Sequence, residues 1–186
     1  STPSNSSAAS DVYKRQVLAS IAIILYVAYA FRSVPEGYSS WFFGIVAVIA
    51  LIHDALIVLG SFSFLGHFNP KIVIDSYFIT ALLTTIGYSV NDTIVVFDRV
   101  RENLIKEEGA LADLADLSIW QTLARSVGTA FTTILVLLSL YLLGGESIKN
   151  FSLALAIGVG IGTYSSIFLA TPLLVDLLQR KKKKVV

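Results

Sequence analysis

The chain has no cysteine, two histidines and few charges, and each shortage closes off a class of chemistry. Without cysteine there is no disulfide framework, no thiol nucleophile and no thiolate metal site. His53 and His67 are too few and too far apart for a zinc motif, so no metal or other cofactor is expected. Only 15% of the 186 residues are charged, well below the roughly one quarter typical of a soluble domain. The charges fall between long apolar runs, with 55% of residues hydrophobic and a mean hydropathy of +0.74. This is the pattern of an all-α integral membrane protein. A net charge of +1 gives no argument for nucleic acid, because the basic residues sit at helix flanks and at the end of the chain.

What is present is a series of apolar stretches. They predict five transmembrane helices, at about residues 17–33, 41–65, 72–97, 119–143 and 151–178. The apolar part of the first is short against the ~20 residues needed to cross a bilayer, so it borrows from its flanks. Trp41 opens the second at the interface, where aromatic rings anchor. Between the spans come Arg32 to Gly37, Gly66 to Lys71, a charged segment from Asp98 to Asp116, and Gly144 to Ser147. Residues 1–16 are polar and Ser-rich and read as a disordered leader, while residues 181–186 read as a basic cytoplasmic tail. Arg32, the Arg99/Arg101/Lys106 group and the Arg180 to Lys184 cluster fall on one side, which the positive-inside rule makes cytoplasmic. That orientation puts the N-terminus of this chain outside; only Lys14-Arg15 breaks the charge rule.

The polar residues inside these spans carry the candidate chemistry, because ionisable groups in lipid are costly unless they have a partner or a task. Asn91-Asp92 lies in the third span, with Tyr88 four residues before Asp92 and a row of Thr84, Gly87 and Asn91 beside it. Asp92 stands about one and a half turns from the charged end of its apolar stretch, at ~3.6 residues per turn. The fourth span carries Gln121, Arg125, Gly128, Thr129 and Thr132 at helical spacing. Asp92 and Arg125 are natural partners by charge. Burial disfavours the ionised form of an Asp and a nearby guanidinium favours it, so an Asp held between the two can switch protonation as the Arg moves. Arg keeps its proton and therefore gates rather than carries. The alternative is a structural ion pair that ties two helices together. His53-Asp54, midway along the second span, reads either as a second protonatable pair or as a hydrogen-bonded helix contact. Ala154, Gly158, Gly162, Ser166 and Ala170 form a four-residue ladder of small side chains, which suits close helix packing and not catalysis. An aspartyl intramembrane protease would need Gly-x-Gly-Asp where this chain has Ser89-Val90-Asn91-Asp92, and neither a nucleophile motif nor a phosphate loop is present. No catalytic residue is assigned, and an enzyme is not expected.

Gly87 to Asn103 resembles the signature of the SecF family, subunits of the SecDF protein-export complex. Ala50 to Asp54, Gln121 to Ser126 with Thr132-Thr133, and Gly144-Gly145 with Phe151-Ser152 and Gly158 to Ile167 follow that family's order. The resemblance implies a fold like the membrane half of the resistance-nodulation-division transporters. It implies a SecD-like partner and action beside the SecYEG channel on a translocating protein chain in the bacterial inner membrane. There, proton flow drives the late stages of protein export. It also implies that Asp92 and Arg125 are the proton-path residues, with Asn91, His53, Asp54, Tyr88, Gln121 and Thr129 as polar support. The resemblance further suggests that the chain is a C-terminal fragment and residues 1–16 a non-native leader. A structural subunit and a small-molecule efflux transporter of the same fold are the alternatives.

Overall fold

In the computed structural model, the structure describes residues 40–185, with side chains to Arg180, together with Tyr38 and six earlier residues. Those six, Leu18, Ile21, Ala22, Leu25, Tyr26 and Tyr29, are helical. The expected first span as a whole, the turn after it and the 1–16 leader lie outside the described residues. From residue 40 the chain is helical: α1 (Ser40–Phe68), α2 (Ser76–Lys106), α3 (Leu111–Leu143), α4 (Glu146–Ser165), a π-helical turn (Ser166–Ala170) and α5 (Thr171–Val185). Among the described residues four helical stretches are long and apolar enough to cross a membrane, with α4, the π turn and α5 counted as one. The chain is an all-α, multi-pass membrane protein.

The helices run beyond the apolar stretches. The charged segment after residue 97 is mostly helix, because α2 continues to Lys106 and α3 already begins at Leu111, leaving only residues 107–110 between them. Local pairs support these extensions. Glu102 pairs with Arg99 and with Lys106, the latter at 2.6 Å, and Leu111, Leu114 and Ala115 are buried in the first turns of α3. Asp92 therefore sits near the middle of its helix, although it lies close to the end of the apolar run.

At the opposite end the turns are closed by side chains. Asp75 caps α2 by accepting the Phe78 amide at 2.9 Å, which satisfies one of the otherwise unpaired N–H groups of the first turn. Asn69 accepts from the Lys71 amide at 3.1 Å, and Asn150 of α4 donates to the Lys71 carbonyl at 3.0 Å, fastening this loop to the fourth span.

Two apolar cores lie one above the other. Toward the charged end, Phe43, Val46, Ala47, Phe97, Val100, Leu174 and Leu178 pack together, with the Phe43 and Phe97 rings edge to face at 5.5 Å. Toward the turn end, Val58, Phe62, Phe78, Ala81, Ala154 and Val159 form the second, with Phe62 on Phe78 at 4.5 Å. Between them α2 and α4 approach closely. A Cβ on Gly158 would lie 2.3 Å from the Thr85 side chain, and one on Gly162 2.9 Å from the Cβ of Ser89. Ala81, Thr85, Ser89 and Thr93 on α2, all essentially buried, thus face the ladder of Ala154, Gly158 and Gly162 on α4 and Ser166 in the π turn.

Close backbone approach of this kind replaces the hydrophobic driving force that is missing between helices in lipid. Gly158→Ala should destabilise the bundle by about 1–3 kcal/mol through overpacking. Gly60→Ala, where nothing lies within 4 Å of an added Cβ, should be neutral or slightly stabilising. Unfolding of the two variants in the same detergent measures the contrast.

Candidate functional site

The two apolar cores are separated by a layer of polar side chains. Its residues lie at similar depth: Asp54 is 14 residues before Phe68, Asp92 is 16 after Ser76, Ser126 is 17 before Leu143, and Ser165 is 19 after Glu146. At ~1.5 Å per residue they all stand about 21–29 Å from the turn end of their helices. Both carboxylates in this layer are buried, Asp54 fully and Asp92 with 9% of its surface exposed.

Asp92 points from α2 to α3. Its Oδ1 accepts a hydrogen bond from the Ser126 hydroxyl at 2.7 Å, and its Oδ2 is buried with no hydrogen-bond partner among the described residues. Arg125, the residue before that serine, does not reach the carboxylate: no ion pair within 4.0 Å joins the two, and Arg125 is exposed on the outer side of α3. Adjacent helical residues point about 100° apart, so the helix that aims Ser126 inward turns Arg125 away. The guanidinium stays within Coulombic range of Asp92. Tyr88 is half-buried one turn from Asp92 and lies beside Thr133 of α3 and Thr163 of α4. Asn91 faces outward.

Asp54 is the more enclosed of the two carboxylates. Its Oδ2 accepts from Ser89 of α2, in a short contact, and from Ser165 of α4 at 2.8 Å. Its Oδ1 meets Nδ1 of His53 at 3.1 Å. One carboxylate therefore joins α1, α2 and α4. Beside it Thr93 Oγ1 and Ser166 Oγ lie 2.8 Å apart, joining α2 to the π turn. At the irregular turn Ser165 and Ser166 are adjacent and both fully buried, one reaching α1 and the other α2. Pro172 gives the reason for the turn. Proline has no N–H and its ring crowds the carbonyl four residues back, which a wider turn accommodates. The Thr171 hydroxyl donates to the Ser166 carbonyl at 2.9 Å.

Gln121 belongs to a separate cluster near the charged end. Its Oε1 accepts from Arg99 Nε at 2.7 Å and from Asn103 Nδ2 at 2.9 Å, and Asn103 also donates to Ser118 at 2.8 Å. This network clamps α2 to α3 and does not touch Asp92. Thr129 is exposed and bonds back to the Arg125 carbonyl at 2.9 Å. Beyond Gln121, which is turned to α2, the row of Arg125, Gly128, Thr129 and Thr132 faces outward on α3, the least covered of the spans among the described residues. Likewise Thr84, Gly87 and Asn91 face outward on α2, and the buried polar row is the next one round: Thr85, Ser89 and Thr93. Sequence reasoning misses Ser89, Ser126, Ser165 and Thr93. A four-residue period through Thr85, Ser89 and Thr93 is the signal that could have found two of them.

If the Ser126 hydroxyl supports a buried carboxylate, its loss leaves a desolvated acceptor. Ser126→Ala should therefore destabilise the bundle by about 1–3 kcal/mol, and Thr129→Ala, which loses one local exposed bond, by under about 0.5 kcal/mol. Equilibrium unfolding in detergent distinguishes these outcomes.

Residues 4–180 match the family described as protein export membrane protein SecD/SecF, C-terminal. The chain is 52% identical over 161 residues to the protein translocase subunit SecF of Thermobaculum terrenum, covering 86% of this chain and 49% of that one. It is 44% identical over 170 residues to the protein translocase subunit SecF of Haemophilus influenzae, covering 90% and 48%. The corresponding subunit of Vibrio alginolyticus is 46% identical over 158 residues, covering 84% and 46%. The chain spans about half the length of these curated relatives.

Proposed function

The chain belongs to the SecD/SecF C-terminal family of protein export membrane proteins, and from that premise we propose that it is the membrane part of a proton-coupled subunit of the Sec translocase. In this reading it assists export of protein chains across the bacterial inner membrane, together with a SecD-like subunit and beside a SecYEG channel. Asp92 is the group that gains and loses the proton. The observation that carries this is the asymmetry of its carboxylate, with one oxygen held by Ser126 and the other buried and free to take a proton. Arg125 acts on it through space, and a small rotation of α3 would change that distance and with it the balance between protonated and ionised forms. One charge moved through 100 mV is worth ~2.3 kcal/mol, enough to bias a two-state helix movement.

The uncovered polar face of α3 supports the partnership. A row containing Arg125, Thr129 and Thr132 is expensive to leave against lipid and inexpensive to place against another polar helix. The distribution of charge supports an orientation in which the 107–110 turn and the end of α5 are cytoplasmic: Arg99, Arg101, Lys106 and Arg180 to Lys184 lie at that end, against Lys71 and Lys149 at the other. No step in this scheme is a catalysed covalent reaction.

Asp92→Asn keeps size and polarity and removes titration. In vesicles containing a SecYEG-type channel and a SecD-like partner, that variant should reduce export to the level measured without a proton gradient. Export that still responds fully to the gradient would show that Asp92 only holds helices together.

A further inference from the structure

The flank of α3 that faces neither the bundle nor the Arg125 row is hollowed over much of its length. One hollow, of 330 Å³, lies between α3 and α5 at their charged ends, with Ala115, Asp116 and Ile119 on one wall and Pro172, Val175 and Asp176 on the other. The next, of 550 Å³, continues along α3, with Ala124 and Gly128 between the rings of Trp120 and Phe131. Asp116, Trp120, Leu123, Val127 and Phe131 recur every three or four residues, so the two hollows form one groove on a single helix face. Leu123 and Val127 each stand two residues from Arg125, about 200° round the helix. The groove is thus on the opposite flank from the polar row. From this placement we propose that it seats a transmembrane helix of another protein, one that carries a lysine or arginine at its cytoplasmic end.

The depth and shape of the groove suit a helix. Asp116 is 27 residues before Leu143 and Trp120 is 23. At ~1.5 Å per residue they stand about 40 and 35 Å from the turn end. Against an apolar bilayer core of ~30 Å, Trp120 sits at the interface, where such rings anchor, and Asp116 lies at headgroup level. From Asp116 to Phe131 the groove runs about 22 Å, most of the way across that core. Its rims are bulky, with Trp120 and Phe131 exposed. Between them the floor is open, because nothing lies within 4 Å of a Cβ added to Gly128. Side chains of a neighbouring helix fit such a notch, and close packing of this kind drives helix association in lipid.

Charge selects the occupant. Asp176 is answered by Arg180 of its own helix at 2.8 Å, whereas Asp116 makes no ion pair or hydrogen bond among the described residues. The groove therefore ends in an unanswered carboxylate at headgroup level, which repels the phosphate of a lipid and attracts a cation. A spanning helix with a basic cytoplasmic flank brings a cation to this depth. The apolar stem of its lysine or arginine would lie along Ala115, Ile119 and Val175. The Lys181 to Lys184 run begins five residues past Asp176, about 7 Å farther along α5 and beyond the groove. The choice of a basic end depends on the orientation proposed above and not on proton uptake at Asp92.

The chain has two tryptophans and no cysteine, so the groove can be read directly. In the full chain carrying Trp41→Phe, held in phosphatidylcholine nanodiscs, Trp120 is the sole tryptophan. A synthetic Leu/Ala transmembrane peptide with one lysine and a bromine quencher at the same end should quench Trp120 saturably. Peptides with glutamine or glutamate in place of that lysine should bind several-fold more weakly. Asp116→Asn should bring the lysine peptide down to the glutamine level, while Asp98→Asn, which removes a carboxylate at the same end of α2, should not. Gly128→Leu, placed in open space, should keep the fold and weaken all three peptides. Equal quenching by the three peptides, or quenching that ignores both Asp116→Asn and Gly128→Leu, overturns the proposal. So does a disulfide between two Val127→Cys chains, or between Val127→Cys and Leu25→Cys in one chain, because a second copy or the chain's own first span would then fill the groove. No proton gradient or export is involved, so failure here and failure of the Asp92 scheme are separate results.

Discussion

Two carboxylates buried at mid-depth in an apolar bundle must be satisfied by side chains, because neither lipid nor a helical backbone with its N–H groups already engaged can do so. Nearly everything distinctive about the packing follows from that need. Hydroxyls from three helices converge on Asp54 and Asp92: Ser89 from α2, Ser126 from α3 and Ser165 from α4. Serine is short, so these contacts require close helices, and Gly158 and Gly162 permit the approach of α4 to α2. The small-residue ladder and the polar layer are thus one arrangement seen from two helices.

The two apolar cores on either side of the layer give it a fixed position. Phe43 with Phe97 holds one end and Phe62 with Phe78 the other. Both ring pairs join α1 to α2, so these two helices cannot slide along each other without separating aromatic contacts at both ends. Neither ring pair involves α3, whose rotation would bring Arg125 toward Asp92 or take it away. The Arg99–Gln121–Asn103–Ser118 network sits closer to the charged end and resists that rotation at the α2–α3 junction.

The helical architecture and both buried carboxylates are legible in the sequence, because an Asp inside a long apolar run is a strong signal by itself. The partners are less so. Arg125 draws attention through its charge, yet the contact is made by Ser126, one residue and 100° further round. The same offset separates Thr84, Gly87 and Asn91, which face outward, from the buried row of Thr85, Ser89 and Thr93. A polar residue at a helical period announces a polar stripe without saying whether it faces the bundle or its outside. In lipid the usual rule that polar residues face away from the core does not decide the matter. The extent of the helices is hidden for a different reason: charge ends a hydropathy plot, but Glu102 with Arg99 and Lys106 lets α2 continue beyond it.

The π-helical turn before Pro172 has a consequence for how this segment tolerates change. Ser165 and Ser166 reach α1 and α2 at the start of this turn, and Leu174 and Leu178 enter the core beyond it. Shortening the segment by one residue would restore ordinary helical geometry and bring the Pro172 ring back against the carbonyl four residues before it. It would also force a choice, because everything beyond the deletion would swing by about a quarter turn. Either α1 or α2 would lose its hydroxyl partner, or Leu174 and Leu178 would leave the core. The irregularity therefore acts as a phase setting between the two halves of the last span, so length here is a stricter requirement than residue identity.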